Sequence, residues 1–345
     1  MRGVVFLGER TLELQEFPDP TPGPGEAVIA IKASGMCGSD LHAYRARGNA
    51  AATLGFAGGG PVIAGHEPCG VVAAVGPGVT DVAVGQRVMN HHYAGCGRCA
   101  HCRQGWSQLC PHGFVVYGVT GHGGHAPYMK VPARTLVPLP DPLSFEEGAA
   151  ISCGTGTAYG ALKRLDVSGR DTLAVFGQGP VGLSATLLGR AMGARIVALD
   201  ISAERRQLAK EFGADTVLDP QAVDPVVALR ELTRGAGVTA ALDCTGSPEA
   251  RVAAVRGTGT WGRVCFVGEG GTVTLDVSPD LLRRQLSLLA SWTFSTVGQE
   301  ECARFIADRE IPLSRLLTHR FKLAEAAEAY RLFDTQTTGK GVFVF

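Results

Sequence analysis

The chain has 345 residues and 45% of them are hydrophobic, so it is long enough to form two domains with large buried cores. It carries 32 basic and 32 acidic residues, a balance that provides no broad attraction to nucleic acid or to an anionic membrane. The N-terminal residues lack the apolar core of a signal peptide. The uncharged, apolar stretch after Asp171 is better explained by a buried strand and a turn than by a membrane span. We therefore expect a soluble cytoplasmic protein.

The first predicted elements are short strands separated by turns. The apolar residues 27–33 predict a strand, and the prolines and glycines of residues 18–25 predict the turn before it. These segments contain no reactive side chain, so the candidate chemistry begins at Cys37.

Candidate metal ligands occur at Cys37 and His66. Thiolates and neutral imidazoles are good zinc ligands, and a catalytic zinc usually has three protein ligands and one open position. A third ligand is therefore needed from elsewhere in the chain, and Cys153 is the candidate. Each residue alone has an ordinary explanation as a buried cysteine or a hydrogen-bonded core histidine, and the combination of the three favours a metal.

Four further cysteines have the spacing C-x2-C-x2-C-x7-C, at Cys96, Cys99, Cys102 and Cys110. Four thiolates can surround one tetrahedral zinc and leave no position open, which is typical of a structural site. Spacing alone also allows an iron–sulfur cluster, the less favoured alternative. The chain has ten cysteines in all, but its length and the lack of an export signal favour metal binding in a reducing compartment over disulfides.

Two histidines lie in the glycine-rich segment that follows. His122 and His125 resemble metal ligands in isolation, yet we interpret them as turn residues because glycines surround them.

The stretch from Thr172 to Asp200 predicts a dinucleotide-binding unit: a buried strand, a glycine turn, a helix, a second buried strand and an acidic residue. Gly177 permits the tight turn, Gly179 lets backbone N–H groups approach a pyrophosphate, and Gly182 lets the helix pack on the sheet. The helix N-terminus supplies free donors for the phosphates.

Asp200 can accept hydrogen bonds from the adenosine ribose, and its charge would repel a 2′-phosphate. This favours NAD as the cofactor. Arg205 and Arg206 lie nearby and could serve such a phosphate, so NADP is the alternative.

The βα alternation continues after Asp200 and predicts six parallel strands in a doubly wound sheet. The further strands and one helix are expected at residues 216–218, 240–243, 263–267 and 286–290, and at 225–232. The last strand would be an apolar edge that must be covered or paired.

These motifs together resemble the zinc-dependent alcohol dehydrogenases of the medium-chain dehydrogenase/reductase superfamily. The resemblance extends over almost the whole chain and depends on the segments around Cys37, His66 and Cys153, the four-cysteine lobe and residues 177–182. It implies an α/β protein with a GroES-like, β-rich catalytic domain and a Rossmann domain with a six-stranded parallel sheet.

The domain limits that we infer are a catalytic domain at residues 1–154, with a structural-zinc lobe at 91–112, an NAD-binding domain at 155–292, and a return to the catalytic domain at 293–345. The catalytic zinc is expected at the cleft between the two domains. The family also implies a homo-oligomer, a tetramer or a dimer, paired through the edge of the Rossmann sheet.

The resemblance implies roles for four residues near the catalytic zinc. Ser39 would receive the substrate proton and His42 would pass it outward. Asp40 would accept the second ring N–H of His66, and Glu67 would approach the metal transiently during ligand exchange. The ordinary alternatives are a surface or structural salt bridge for the two carboxylates and an exposed polar residue for His42.

The cofactor contacts that we expect combine the glycine loop with its neighbours, and Lys340 matches a basic residue that reaches the cofactor pyrophosphate in relatives. The set is Thr157, Gly177, Gly179, Pro180, Val181, Gly182, Asp200, Arg205 and Lys340.

The expected activity is NAD-dependent interconversion of an alcohol and its ketone or aldehyde, with two zinc ions per chain. We favour a secondary alcohol, and a polyol or an L-threonine-type amino alcohol is the alternative. A zinc-free quinone or enone reductase and a non-enzymatic NAD-binding sensor are the competing classes. The substrate pocket is expected to draw on Ser39, Phe56, His92, Trp292 and Phe294.

Overall fold

The computed structural model describes residues 1–47, 60–337 and 339–345. The chain divides into two compact units. Unit 1 comprises Met1–Gly156, Phe294–Gln336 and Lys340–Phe345, and unit 2 comprises Thr157–Thr293 with Thr337–Gly339.

The helices and strands fall into three consecutive segments of the chain. The first segment contains β1 (Arg2–Gly8), β2 (Thr11–Glu16), β3 (Glu26–Gly35), α1 (Gly38–Arg45), β4 (Glu67–Val75), β5 (Arg87–Asn90), β6 (Tyr93–Ala94), α2 (Ala100–Arg103), β7 (Val115–Val116), β8 (Tyr128–Pro132), β9 (Leu136–Pro138) and α3 (Phe145–Ala150), followed by a π-helical turn (Ile151–Thr155). The middle segment contains α4 (Gly156–Arg164), β10 (Thr172–Phe176), α5 (Pro180–Ala191), β11 (Arg195–Leu199), α6 (Ala203–Glu211), β12 (Thr216–Leu218), α7 (Pro225–Leu232), β13 (Val238–Asp243), α8 (Pro248–Gly257), β14 (Thr258–Phe266) and β15 (Ser287–Ala290). The last segment contains α9 (Thr296–Asp308), β16 (Leu317–Phe321), α10 (Ala326–Phe333) and β17 (Lys340–Val344).

Unit 1 is organised around β3, which pairs antiparallel with β4, β8 and β17 in a seven-stranded sheet. The register between β3 and β4 places Gly35 opposite Glu67. Since Cys37 follows β3 by two residues and His66 directly precedes β4, this pairing brings two candidate ligands together from distant parts of the sequence.

The C-terminal helix α10 covers the same region of unit 1. Its residues Ala326, Ala329, Tyr330 and Phe333 recur at helical spacing and are buried in one apolar cluster with Leu41 of α1. This packing brings the end of the chain next to the segment that carries Cys37.

Unit 2 is a six-stranded parallel sheet with the order β12-β11-β10-β13-β14-β15. Counted from β10, this is the order 3-2-1-4-5-6 of the Rossmann fold, whose dinucleotides bind where the strand order reverses. The neighbouring interior strands β10 and β11 are apolar and buried, as their uninterrupted hydrophobic runs predict. The predicted doubly wound sheet is therefore confirmed.

Strand β15 lies at the edge of that sheet and pairs only with β14 among the described strands. Its residue Leu288 is 40% exposed. None of the helices within the described ranges has both the length and the apolar composition needed to cross a membrane.

Candidate active site and cysteine lobe

The first candidate ligand, Cys37, is held at the start of α1. It is the N-cap residue, and its backbone N–H donates to Oδ2 of Asp40 (2.8 Å), the third residue of the helix. This reciprocal cap fixes the position of Asp40 as well, because its carboxylate satisfies a backbone donor that the helix leaves free.

Four side chains of unit 1 converge beside this cap. Cys37, His66, Glu67 and Cys153 each present one donor atom, and these atoms all lie within 4.8 Å of one another. The sulfurs of Cys37 and Cys153 are 3.9 Å apart. A tetrahedral zinc with Zn–S bonds of about 2.3 Å separates two sulfurs by roughly 3.8 Å, so the observed spacing fits a shared zinc.

The two buried sulfurs differ in their affinity for a proton. The contact with the Cys153 thiol lowers the pKa of Cys37 well below its ordinary value, although burial opposes this, and the charge of His66 adds to the effect. The same contact, together with burial, raises the pKa of Cys153. Cys37 therefore has strong thiolate character, which is the form that binds a metal.

The His66 ring is oriented by a carboxylate. Its Nδ1 lies 2.9 Å from Oδ1 of Asp40, and its Nε2 lies 3.2 Å from the hydroxyl of Ser39. With Nδ1 engaged by the carboxylate, Nε2 is the nitrogen left for a metal. Burial opposes a charged ring, but Asp40 and Cys37 together raise the pKa of His66 well above its usual value.

Glu67 and Lys340 form a buried ion pair next to this cluster. The Lys340 ammonium also donates to the Met36 carbonyl (3.0 Å), and the side chain is 1% exposed. Burial raises the pKa of Glu67 to about 8, although the charge of Lys340 opposes the shift. In this arrangement the ammonium is engaged within unit 1, and its contact with a cofactor pyrophosphate stays a prediction.

The two residues of the expected proton path lie on one face of α1. Ser39 is half-buried beside His66, whereas His42, three residues later, is exposed to solvent. A hydroxyl beside the candidate ligand His66 followed by an exposed imidazole is the order that a path to solvent needs.

Two expected pocket residues of unit 1 lie beside the cluster. The His92 ring is 5.2 Å from that of His66 and 6.0 Å from that of Phe294. Nδ1 of His92 donates to the Ser152 carbonyl (2.9 Å), which leaves its Nε2 as a hydrogen-bond acceptor. Burial and the charge of His66 lower the pKa of His92 well below its usual value, so the ring is neutral.

The other two expected pocket residues are placed differently. Trp292 belongs to unit 2, where its indole N–H donates to Glu269 (2.6 Å). Phe56 lies outside the described residues.

The cysteine lobe gathers its four sulfurs within 4.8 Å of one another. The N–H groups of Arg98 and Cys99 both donate to the Cys96 sulfur (3.4 Å each), and these bonds lower the pKa of Cys96 to about 6. The N–H of Cys102 donates to the Cys99 sulfur (3.5 Å). All ten cysteines of the chain are free. Amides directed at clustered sulfurs stabilise thiolates, so the donor set fits a closed four-thiolate metal site.

In unit 2 the glycine turn excludes side chains at two of its three glycines. Gly177 has φ = +84°, and a Cβ atom on Gly182 would lie 1.8 Å from the Gly177 carbonyl oxygen, so neither position accepts a side chain. A Cβ on Gly179 would meet only Nη1 of Arg205, at 4.0 Å. Open space beside an arginine at the N-terminus of α5 fits the phosphates of a dinucleotide.

Asp200 ties this turn to the loop after β11. Its two carboxylate oxygens accept from the backbone N–H groups of Gln178 (2.6 Å) and Ser202 (2.8 Å). Arg206 pairs with Asp219 (3.1 Å) and is thereby occupied.

Arg205 and Thr157, two further expected cofactor residues, also belong to unit 2, and Thr157 is buried at the start of α4. The Nε of Arg205 is buried without a hydrogen-bond partner among the described residues. Arg205 is therefore available to bind a 2′-phosphate, whereas Arg206 is already paired with Asp219.

Family models match both parts of the chain. Residues 23–141 match the alcohol dehydrogenase GroES-like domain, and residues 180–308 match the zinc-binding dehydrogenase domain. The chain belongs to the zinc-type alcohol dehydrogenase family of oxidoreductases.

The relatives that match over nearly the full length include the following two. One is an uncharacterized zinc-type alcohol dehydrogenase-like protein, YphC, of Escherichia coli K12, 40% identical over 100% of this chain and 99% of its own. The other is an L-threonine 3-dehydrogenase of Pyrococcus horikoshii, 32% identical over 96% of this chain and 94% of its own. Among solved structures, the alcohol dehydrogenase TADH from Thermus sp. ATN1 matches with a TM-score of 0.90 and 29% identity, over 100% of this chain and 99% of its own.

Proposed function

We propose that the protein is an NAD(H)-dependent alcohol dehydrogenase that holds two zinc ions, one catalytic and one structural. The catalytic ion would be held by Cys37, His66 and Cys153, and the structural ion by the four cysteines of the lobe. The observation that carries the proposal is the convergence of two sulfurs and one oriented imidazole inside unit 1. When bound, the zinc would act as a Lewis acid on the substrate oxygen, and NAD would accept the hydride.

The residues of the chain supply orientation and proton transfer. Ser39 accepts the proton of the substrate hydroxyl at its Oγ and releases its own hydroxyl proton, and the exposed His42 passes a proton on to solvent. Asp40 keeps the His66 ring in one tautomer. The two thiolates offset the charge of the metal, so that the product is not held too tightly.

Glycine spacing and charge support NAD. The N-terminus of α5 faces open space at Gly179, which suits the pyrophosphate of either nicotinamide cofactor. Arg205, with its unsatisfied Nε, is the residue that would serve NADP, the alternative cofactor. The negative charge of Asp200 disfavours the 2′-phosphate of NADP.

We favour a secondary alcohol as substrate. The second candidate is a polyol or an L-threonine-type amino alcohol, which is supported by the relationship to the L-threonine 3-dehydrogenase and by the neutral His92, whose Nε2 can accept a hydrogen bond from a second polar group on the substrate. We also propose a homo-oligomer paired through β15, because the outer edge of this apolar strand pairs with none of the strands that the structure describes.

The decisive experiment compares the wild-type protein with His66→Ala. We expect two zinc ions per chain in the wild type and one in the variant, with alcohol oxidation abolished and NAD binding retained. A fully active His66→Ala protein would refute the catalytic assignment, and zinc-free wild-type protein that reduces quinones would support the competing reductase class. A wild-type protein that binds NAD but oxidises no alcohol in a broad panel would point to a sensor.

A further inference from the structure

Three buried side chains continue the hydrogen bonding of Asp40 away from the metal cluster. The Tyr330 hydroxyl donates to Oδ2 of Asp40 (3.1 Å), His125 Nε2 lies 2.7 Å from that hydroxyl, and the Ser34 hydroxyl lies 2.8 Å from His125 Nδ1. Ser34, His125 and Tyr330 are completely buried. The candidate ligand His66 thus lies at one end of a continuous polar chain in the core of unit 1.

The directions of the first two bonds in this chain follow from Asp40. A carboxylate only accepts, so the Tyr330 hydroxyl must give its single proton to Asp40 and accept from His125. His125 Nε2 therefore carries a proton. Burial lowers the pKa of His125 to about 4, so the ring is neutral and its Nδ1 accepts from Ser34. One arrangement of protons satisfies all members of the chain.

His125 also fixes the backbone that leads into His66. Its N–H donates to the Ala64 carbonyl (2.9 Å), and a Cβ atom on Gly65 would lie only 2.3 Å from its Nδ1. Gly65 has φ = +88°, a conformation that favours glycine. The ring therefore lies against the residue directly before the ligand.

We propose that Tyr330 and His125 are positioning residues for the metal ligand His66. By donating to Oδ2, Tyr330 fixes the carboxylate plane of Asp40 so that Oδ1 faces His66 Nδ1 and Nε2 faces the metal. His125 in turn holds the Tyr330 hydroxyl in the donating orientation. The inference depends on the proposed zinc site, and it adds to that site two residues from α10 and from a loop whose chemistry the sequence does not indicate.

Zinc affinity tests this role more directly than turnover does. In Tyr330→Phe, Asp40 loses one of its three donors and its Oδ2 keeps only the N–H of Cys37, so the carboxylate is held less firmly, while the ring stays in the apolar cluster. We expect the dissociation constant of the catalytic zinc to rise about tenfold, the lower end of the loss seen when a partner of a metal ligand is removed. Chelator competition measures this constant, and His66→Ala identifies which of the two zinc ions is affected. The zinc of the cysteine lobe should keep its affinity.

The matched control is Tyr44→Phe, which removes a hydroxyl from a ring 5.6 Å away in the same cluster. It should leave both zinc affinities unchanged. If Tyr330→Phe binds the catalytic zinc as tightly as Tyr44→Phe does, the positioning role is wrong. If instead His66→Ala removes no zinc, the proposed function itself fails, so the two failures are distinguishable.

Variants of His125 cover the case in which Tyr330→Phe does not fold. The amide of His125→Gln can still donate to Tyr330, whereas His125→Leu cannot. We expect His125→Leu to weaken zinc binding at the His66 site and His125→Gln to retain most of the wild-type affinity, with similar melting temperatures for the two variants. Equal zinc affinity in the His125→Leu, His125→Gln and wild-type proteins would overturn the proposal.

Discussion

The Lys340 ammonium and the Glu67 carboxylate form an ion pair in the core of unit 1, directly beside the candidate ligand His66. Backbone groups complete the contacts of both ions, since Met36 accepts from Lys340 and Gly154 donates to Glu67 (3.4 Å). Two opposite charges are thus held where water does not compensate either one. The pair links β17 to the segments that carry the candidate zinc ligands.

Replacing Lys340 by Met should destabilise the protein, because the Glu67 carboxylate then either stays buried without its counter-charge or must take up a proton, which burial already favours. Breaking a buried pair typically costs about 3–5 kcal/mol, whereas removing both charges costs far less. Lys340→Met combined with Glu67→Gln should therefore recover much of the loss. Chemical denaturation of the zinc-loaded proteins measures both effects.

The control for this pair is Lys130→Met. Lys130 pairs with Glu26 at 3.3 Å but is 42% exposed, so its loss should cost less than about 1 kcal/mol. If Lys340→Met is no less stable than Lys130→Met, Glu67 has another source of compensation and the pair does not hold unit 1 together.

Much of the fold follows from local patterns in the sequence. The strand at 216–218 and the helix at 225–232 have the predicted limits, and the strand predicted at 240–243 is observed at Val238–Asp243. Such elements are visible because a buried parallel strand is apolar throughout and a surface helix has a period of 3.6 residues.

The candidate site is only partly predictable from sequence, because its contacts join residues that are far apart in the chain. The type and spacing of Cys37 and His66 point to a metal, and the pairing of β3 with β4 brings them together. The glycine neighbours of His125 indicate a turn and carry no signal of its buried hydrogen bonds. Its partner Tyr330 lies 205 residues away on an amphipathic helix whose spacing indicates packing alone.

Asp334 provides a test of how the stability of the folded protein depends on pH. It pairs with Arg10 (2.8 Å) and Arg45 (2.5 Å) at the end of α10. Partial burial alone would raise its pKa, but the hydrogen bonds from the two arginines outweigh burial and hold the pKa of Asp334 below its ordinary value. In the unfolded chain the group titrates near pH ~3.9. Its stabilising effect is therefore complete above that pH and is lost as the pH falls through the lower folded pKa.

We expect Asp334→Asn to lower the free energy of unfolding by about 1 kcal/mol at neutral pH, since Arg10 is largely exposed and solvent weakens the pair. The difference from the wild type should shrink below pH ~4. Urea denaturation from pH 7 to pH 3 measures it. Asp141→Asn, at a fully exposed carboxylate, should show no such trend. A constant difference at every pH would mean that Asp334 acts through packing instead.

The charge of Asp200 should decide between the two nicotinamide cofactors. In Asp200→Asn the repulsion of a 2′-phosphate disappears while Arg205 remains beside the glycine turn. We expect the ratio of kcat/KM for NADP to that for NAD to rise about tenfold, which corresponds to roughly 1.4 kcal/mol. Asp215→Asn is the control. The Asp215 carboxylate also accepts a backbone N–H, from Ile196 (2.8 Å), but Asp215 precedes β12 whereas Asp200 follows β11. An unchanged ratio in Asp200→Asn would place this residue away from the ribose.

The cysteine lobe should stabilise the fold without taking part in turnover. Cys99→Ser removes one of four converging sulfurs, and a structural zinc contributes directly to folding. We expect the variant to lose one zinc ion per chain and to melt at a lower temperature, while kcat at a temperature below its transition stays close to that of the wild type. Metal analysis, thermal unfolding and initial rates measure the three quantities.

The control for Cys99→Ser is Cys244→Ser, at another half-buried free cysteine that belongs to neither sulfur cluster. It should keep both zinc ions, because a serine there removes no ligand. A Cys99→Ser protein that stays as stable as Cys244→Ser but is inactive would contradict the structural role, since the lobe would then act on the chemistry and not on the fold.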